Sequence, residues 1–175
     1  MDKSEENIKY LCDKLGLKVS VSESLTGGKI QDRLVSVSGS SSYFQGGVTV
    51  YNIDQKVNLL GIDREHAESV NCISERVAEE MAKGCNELFG SDISIGITGY
   101  AEPYGDIKDP FCYYSINFRG EILETDTFIG APNKNFRNGN RTVFTSRLVH
   151  QLDQQLQSLE KTIERDNRLK NLLNK

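Results

Sequence analysis

At 175 residues, with 21 Lys and Arg against 25 Asp and Glu and a formal net charge of −4, the chain has single-domain length and no excess of positive charge with which to neutralise a nucleic-acid backbone. Its apolar residues come in short stretches, none near the roughly 18 in a row that a bilayer demands, and the N-terminus has no apolar leader, so a soluble, cytoplasmic protein is expected, with no membrane partner. Cys12, Cys72, Cys85 and Cys112 are scattered without a CxxC pair, and His66 and His150 stand far apart, a pattern that predicts reduced thiols, three of them in the core, and no zinc site.

Residues Glu5 to Leu15 place Ile8, Leu11, Cys12 and Leu15 on one helical stripe, with Ser4 as cap and Gly16 as stop. A strand from Leu17 to Val21 runs into the turn Ser22-Glu23-Ser24-Leu25-Thr26-Gly27-Gly28, and a second helix carries Ile30, Leu34 and Val35. The loop Ser38-Gly39-Ser40-Ser41-Ser42 leads to a second strand, Gln45 to Asn52, and a short helix, Asp54 to Leu60, closed by Gly61. Ser74 caps an amphipathic helix built on Val77, Ala78, Met81, Cys85, Leu88 and Phe89, ending at Gly90. Ile93, Ile95 and Ile97 mark the next strand, which ends in the polar loop Thr98-Gly99-Tyr100-Ala101-Glu102-Pro103-Tyr104-Gly105. Two strands, Cys112 to Phe118 and Glu121 to Phe128, are joined by Arg119-Gly120. A long helix starts near Arg141 with Phe144, Leu148, Leu152, Leu156, Leu159 and Ile163 as its buried stripe, and that stripe motivates the expectation of a homodimer.

This order predicts an α/β domain of three layers, α/β/α, over residues 1–163, with a mixed, mostly parallel sheet of about five or six strands, followed by a charged, frayed helical tail over 164–175. In such sheets a ligand crevice lies beyond the carboxyl ends of the parallel strands, and both the Ser24 turn and the Thr98 loop leave strands at that end.

Two readings of Ser24 stand side by side. It is a helix cap, as Ser at a strand-to-helix junction commonly is, or a nucleophile, with the turn's amides and the bare Gly27 and Gly28 offering a place for an oxyanion or phosphate. A nucleophile needs a base, and neither His66 nor His150 suits a Ser-His-Asp arrangement. A lysine whose pKa is lowered by burial does the same work, and Lys56 is placed for it, against the plainer reading of a solvated surface lysine. Tyr51 is a rim or core residue or a catalytic one, and Glu23 either orients Lys56 or pairs with it. Thr26-Gly27-Gly28-Lys29 lacks the first glycine and the Ser or Thr of a phosphate-binding P-loop.

Four segments together resemble the C-terminal domain of the CinA family, the competence- and damage-inducible proteins, whose stand-alone members include nicotinamide mononucleotide amidohydrolases. They are Glu23-Ser24-Leu25-Thr26-Gly27-Gly28; Gly39-Ser40-Ser41-Ser42-Tyr43-Phe44 with Gly46-Gly47-Val48, Tyr51 and Lys56; Ile73-Ser74-Glu75-Arg76-Val77-Ala78-Glu79-Glu80-Met81-Ala82; and Thr98-Gly99-Tyr100-Ala101-Glu102-Pro103. The likeness runs from about Leu17 to Leu159 and has no counterpart of the N-terminal nucleotide-type domain of longer members. It implies an anticodon-binding-like sheet and a catalytic Ser-Lys pair, Ser24 and Lys56, with Tyr51 at the site. Thr26, Gly27, Gly28, Ser40, Ser41, Gly46, Thr98 and Gly99 are the implied substrate-binding residues, with the glycine turns or the Ser40-Ser41 loop holding a phosphate. The implied reaction is hydrolysis of a carboxamide of a small-molecule pyridine nucleotide, without metal or cofactor; the alternative is a catalytically inactive ligand-binding or interaction module. The chain departs from the family pattern at Leu25 (a Cys), Ile53 (an Asn), Glu102 (a Gly), Tyr104 to Cys112 (a glycine-rich stretch) and Asn140 (an Arg), and the carboxylates of Glu102 and Asp106 are expected to oppose a phosphate.

Overall fold

The computed structural model describes residues 3–173. Its elements are α1 (Lys3–Leu15), β1 (Val19–Glu23), α2 (Lys29–Val35), β2 (Phe44–Thr49), α3 (Ile53–Leu60), α4 (Arg64–Ser69), α5 (Glu75–Phe89), β3 (Ile93–Tyr100), β4 (Phe111–Phe118), β5 (Glu121–Ile129) and α6 (Arg137–Leu173). Helix α1 starts ahead of Glu5, so Ser4 lies within it rather than capping it. Gly16 ends it in the left-handed region at φ +67°, and the Leu17 amide returns 2.9 Å to the Cys12 carbonyl. Helix α4 was not expected from the sequence; Asp63 starts it by accepting the His66 amide. Helix α6 begins a turn before Arg141, and its backbone stays helical through the charged residues 164–173.

Among the described residues the strands stand in the order β2-β1-β3-β4-β5. Strand β1 pairs in parallel with both β2 and β3, whereas β4 pairs antiparallel with β3 and β5, so β4 alone runs against the rest. Helices cover both faces, giving the three layers expected. On one face α1, α2 and α6 close over Val19, Val21, Ile93, Ile95, Ile97, Tyr114 and Ile116. The alternating serines of β1 face the other side, which is equally buried. There Ser22 Oγ donates 2.9 Å to Met81 O, Ser94 Oγ donates 2.7 Å to Ala82 O, and Gly96 lies so close that a Cβ would stand 2.2 Å from Ala78 O. Small residues let α5 settle onto the sheet, and their hydroxyls are satisfied by helix carbonyls rather than by water.

The stripe of α6 is used within the chain: Phe144, Leu148, Val149, Leu152 and Leu156 are all fully buried in the first core. Four of the six residues behind the expectation of a homodimer are thus spent within the chain, and Leu159 packs half-buried against the same core. Cys12, Cys85 and Cys112 are buried free thiols and Cys72 is half-buried. Among the described residues no helix is long and apolar enough to cross a membrane, and no group of three His, Cys, Asp or Glu side chains is placed to hold a metal ion.

Candidate active site

Beyond the carboxyl ends of β1, β2 and β3 lies a cavity of about 510 Å³. Ser24 enters it from the end of β1, Tyr51 and Lys56 from the passage of β2 into α3, and Thr98 and Gly99 from the end of β3.

Ser24 does not cap α2. Glu23 does: its fully buried carboxylate accepts the amides of Gly28 (2.9 Å), Ile30 (3.3 Å) and Gln31 (2.9 Å). This placement, at the positive end of the helix, is neither of the two readings that set Glu23 beside Lys56. It leaves the Ser24 hydroxyl to Lys56, whose Nζ lies 3.1 Å from Ser24 Oγ, 2.8 Å from Val50 O and 3.5 Å from Tyr51 O. Asn52 fixes this geometry by capping α3, its side chain accepting the Gln55 amide. Lys56 is 1 % exposed, and burial pulls its pKa below the ordinary 10.5. As an ammonium Lys56 donates to all three oxygens; a neutral amine would keep two N–H bonds for the two carbonyls and turn its lone pair to the Ser24 hydroxyl.

The remaining predicted residues divide. Thr98 lines the cavity and donates its hydroxyl 2.8 Å to Cys72 O; Gly99 lines it where a Cβ would stand 2.3 Å from Phe111 O. Thr26, Gly27 and Gly28 sit in the turn but outside the lining. The Gly27 amide donates to Ser24 O and the Gly28 amide to Glu23, so these two donors are already engaged. The turn is held from the far side by Arg141, which donates 2.9 Å to Leu25 O and 2.8 Å to Thr26 O. Gly46 packs against the Phe89 ring, where a Cβ would stand 2.7 Å away, and does not border the cavity. Ser40 and Ser41 precede β2; because β2 runs parallel to β1, its six residues put them at the opposite end of the sheet from Ser24, roughly 20 Å of strand away.

Several lining residues escaped the sequence reading. Glu68, Asn71 and Cys72 come from α4 and the bend after it, where Asn71 (φ +51°) and Cys72 (φ +60°) are both left-handed and Asn71 donates 2.8 Å to Tyr100 OH. The Asp63 cap was the available signal for this element. Arg137 crosses the mouth, donating 2.8 Å to Glu102 Oε1 and 2.8 Å to Tyr51 OH. Glu102 therefore faces the cavity with a cation already on it, and Asp106 is not among the lining residues. Asn140, buried, does not itself border the cavity but donates to Ala131 O and to the carbonyl of Ala101, which does.

The CinA C-terminal domain family matches residues 1–151. A CinA-like protein of Chlorobium limicola is 45% identical over 105 residues, 60% of this chain and 24% of that protein, so the chain spans about a quarter of this relative's length. Among solved structures, a competence-damaged protein (CinA) superfamily protein from Klebsiella pneumoniae superposes with a TM-score of 0.80 at 24% identity, covering 89% of this chain and 97% of that one. A competence or damage-inducible protein from Enterobacter asburiae gives 0.72 at 27%, covering 86% and 96%.

Proposed function

The chain belongs to the CinA family, and from that premise we propose that it is an amidohydrolase acting through a Ser24–Lys56 pair on the carboxamide of a pyridine nucleotide such as nicotinamide mononucleotide. The observation that carries the reading is the buried Lys56 amine 3.1 Å from Ser24 Oγ at the floor of a cavity. Lys56 in its neutral form takes the Ser24 proton as the oxygen attacks the carboxamide carbon. The oxyanion needs backbone donors. With the Gly27 and Gly28 amides engaged and Thr26 outside the lining, the amide of Leu25 remains; Leu25 borders the cavity and its amide donates to no other group among the described residues. The Lys56 ammonium then protonates the departing nitrogen as ammonia leaves, and the regenerated amine activates the water that releases the acid from Ser24.

Ammonia release from nicotinamide mononucleotide by the purified protein tests this. Ser24→Ala and Lys56→Ala should each lower kcat by about 10²- to 10⁴-fold, with the fold retained by circular dichroism. Folded parent protein that releases no ammonia at neutral or mildly alkaline pH would reject this substrate and favour another amide or a binding module.

A further inference from the structure

Resting on the amidohydrolase reading, we infer that Tyr100, backed by Tyr104, is the surface on which the ring bearing the carboxamide lies, and that this pair makes the site specific for an aromatic carboxamide over a non-aromatic one. The sheet register places Tyr100 for this. Ser22 pairs with Gly96, and continuing that parallel register by two residues sets Ser24 level with Thr98. Tyr100 is the next residue of β3 on the same face, roughly 7 Å further along the strand. A carboxamide held at Ser24 therefore sends the ring directly bonded to it out past the level of Thr98 and toward Tyr100, and Ser24, Thr98 and Tyr100 all border the one cavity.

The Tyr100 ring is fixed on three sides. Its hydroxyl accepts a 2.8 Å hydrogen bond from Asn71, Phe111 meets it edge-on with centroids 5.8 Å apart, and Tyr104 stacks on it at 5.7 Å with planes 13° from parallel. Phe111 is braced edge-on in turn by Tyr113 at 5.4 Å. Tyr104 is presented by a small hairpin: its amide donates 3.0 Å to Ile107 O, the Ile107 amide donates 2.9 Å to Tyr104 O, and Gly105 turns the chain at φ +56°. Rings held in this way need little ordering when a ligand arrives. Tyr104 borders the cavity, is 65 % exposed, and its hydroxyl bonds to no other group among the described residues, so its ring acts through its faces. Such faces attract a planar ring, and attract it more when it is positive, as an N-substituted pyridinium is. Tyr104 falls in the stretch where the sequence departs from the family pattern, so the backing of Tyr100 belongs to the chain's own residues.

Reduction of nicotinamide mononucleotide to its dihydropyridine form keeps the carboxamide, ribose and phosphate and removes the aromatic, positive ring. Calorimetric binding of the two forms to the Ser24→Ala protein tests the inference without requiring turnover. The oxidised form should bind about tenfold tighter. Tyr100→Leu in that protein should cut the preference to about twofold or less, and Tyr100→Phe should keep it. Tyr104→Ala, a change on an exposed hairpin, should cut it about threefold, and decides alone if Tyr100→Leu fails to fold. Equal binding of the two forms, a preference that neither Tyr100→Leu nor Tyr104→Ala moves, or no binding of either form at millimolar concentration would each overturn the inference. Ammonia release by the parent protein is scored separately. None, with the preference present and reduced by Tyr104→Ala, would reject the hydrolase and leave the ring surface standing; release with a preference that these variants do not move would reject the ring surface alone.

Discussion

The chemistry at residue scale depends on one proton. Since Lys56 is the base only when neutral, kcat/KM should rise with pH through the Lys56 pKa and level off above it, with the inflection below 10.5 because burial disfavours the ammonium. A pH–rate profile checks this, and an inflection at the ordinary lysine value would remove the burial argument. Lys56→Arg keeps the positive charge but has no accessible neutral form, so it should lower activity about as far as Lys56→Ala. Glu23 acts beside this pair without touching it. Replacing its buried carboxylate by Ala strands three α2 amides and should cost about 2 to 4 kcal/mol in a denaturant titration. Ser24 and Lys56 could be singled out in the sequence because their motifs lie along a recognisable order of elements. The role of Glu23 could not, because a carboxylate that caps a helix and one that pairs with a lysine look alike until the backbone amides are placed.

For the elements, the decisive contact is that of α5 on the sheet. Gly96→Ala would put a Cβ 2.2 Å from Ala78 O and 2.6 Å from the Ala82 amide, both backbone atoms that no rotamer change can relieve. This variant should lose more than about 3 kcal/mol or fail to accumulate as soluble protein, whereas Gly28→Ala, with open space around it, should lose only about 1 kcal/mol from its left-handed φ. Strand β1 was legible from its Val-Ser alternation, but that pattern does not tell a buried serine face from a wet one; the helix carbonyls that receive the hydroxyls come from residues more than fifty positions away. Helix α4 was missed because its acidic run has almost no apolar period, with Ala67 alone buried. Ser40 and Ser41 were drawn to the site by motif order, which is blind to strand direction: a loop entering a parallel strand and a turn leaving its neighbour lie at opposite ends of the sheet.

Across the whole molecule, the question is how far along α6 stability extends. The buried stripe of α6 ends at Leu156, and beyond it Lys14 reaches Glu160 at 2.6 Å and Glu164 at 3.0 Å on the surface. Exposed pairs of this kind contribute about 0 to 1 kcal/mol. A chain ending at residue 163 should therefore keep its fold and lose no more than about 1 kcal/mol, by thermal melting beside the full chain. A loss of several kcal/mol would mean that the charged segment holds the domain together. Light scattering on both forms decides whether the chain self-associates.

The seclusion of Lys56 turns it into a clock. An acylating reagent attacks neutral amines, and a lysine 1 % exposed meets it through the cavity that it lines or by local opening of the fold. Its labelling rate under native conditions, read by mass spectrometry against exposed Lys83, should be slower by at least about a thousandfold. A rate equal to that of Lys83 would mean that the fold does not shield the amine. The measured lag would report how strongly the fold shields the proposed base from reagents in solution.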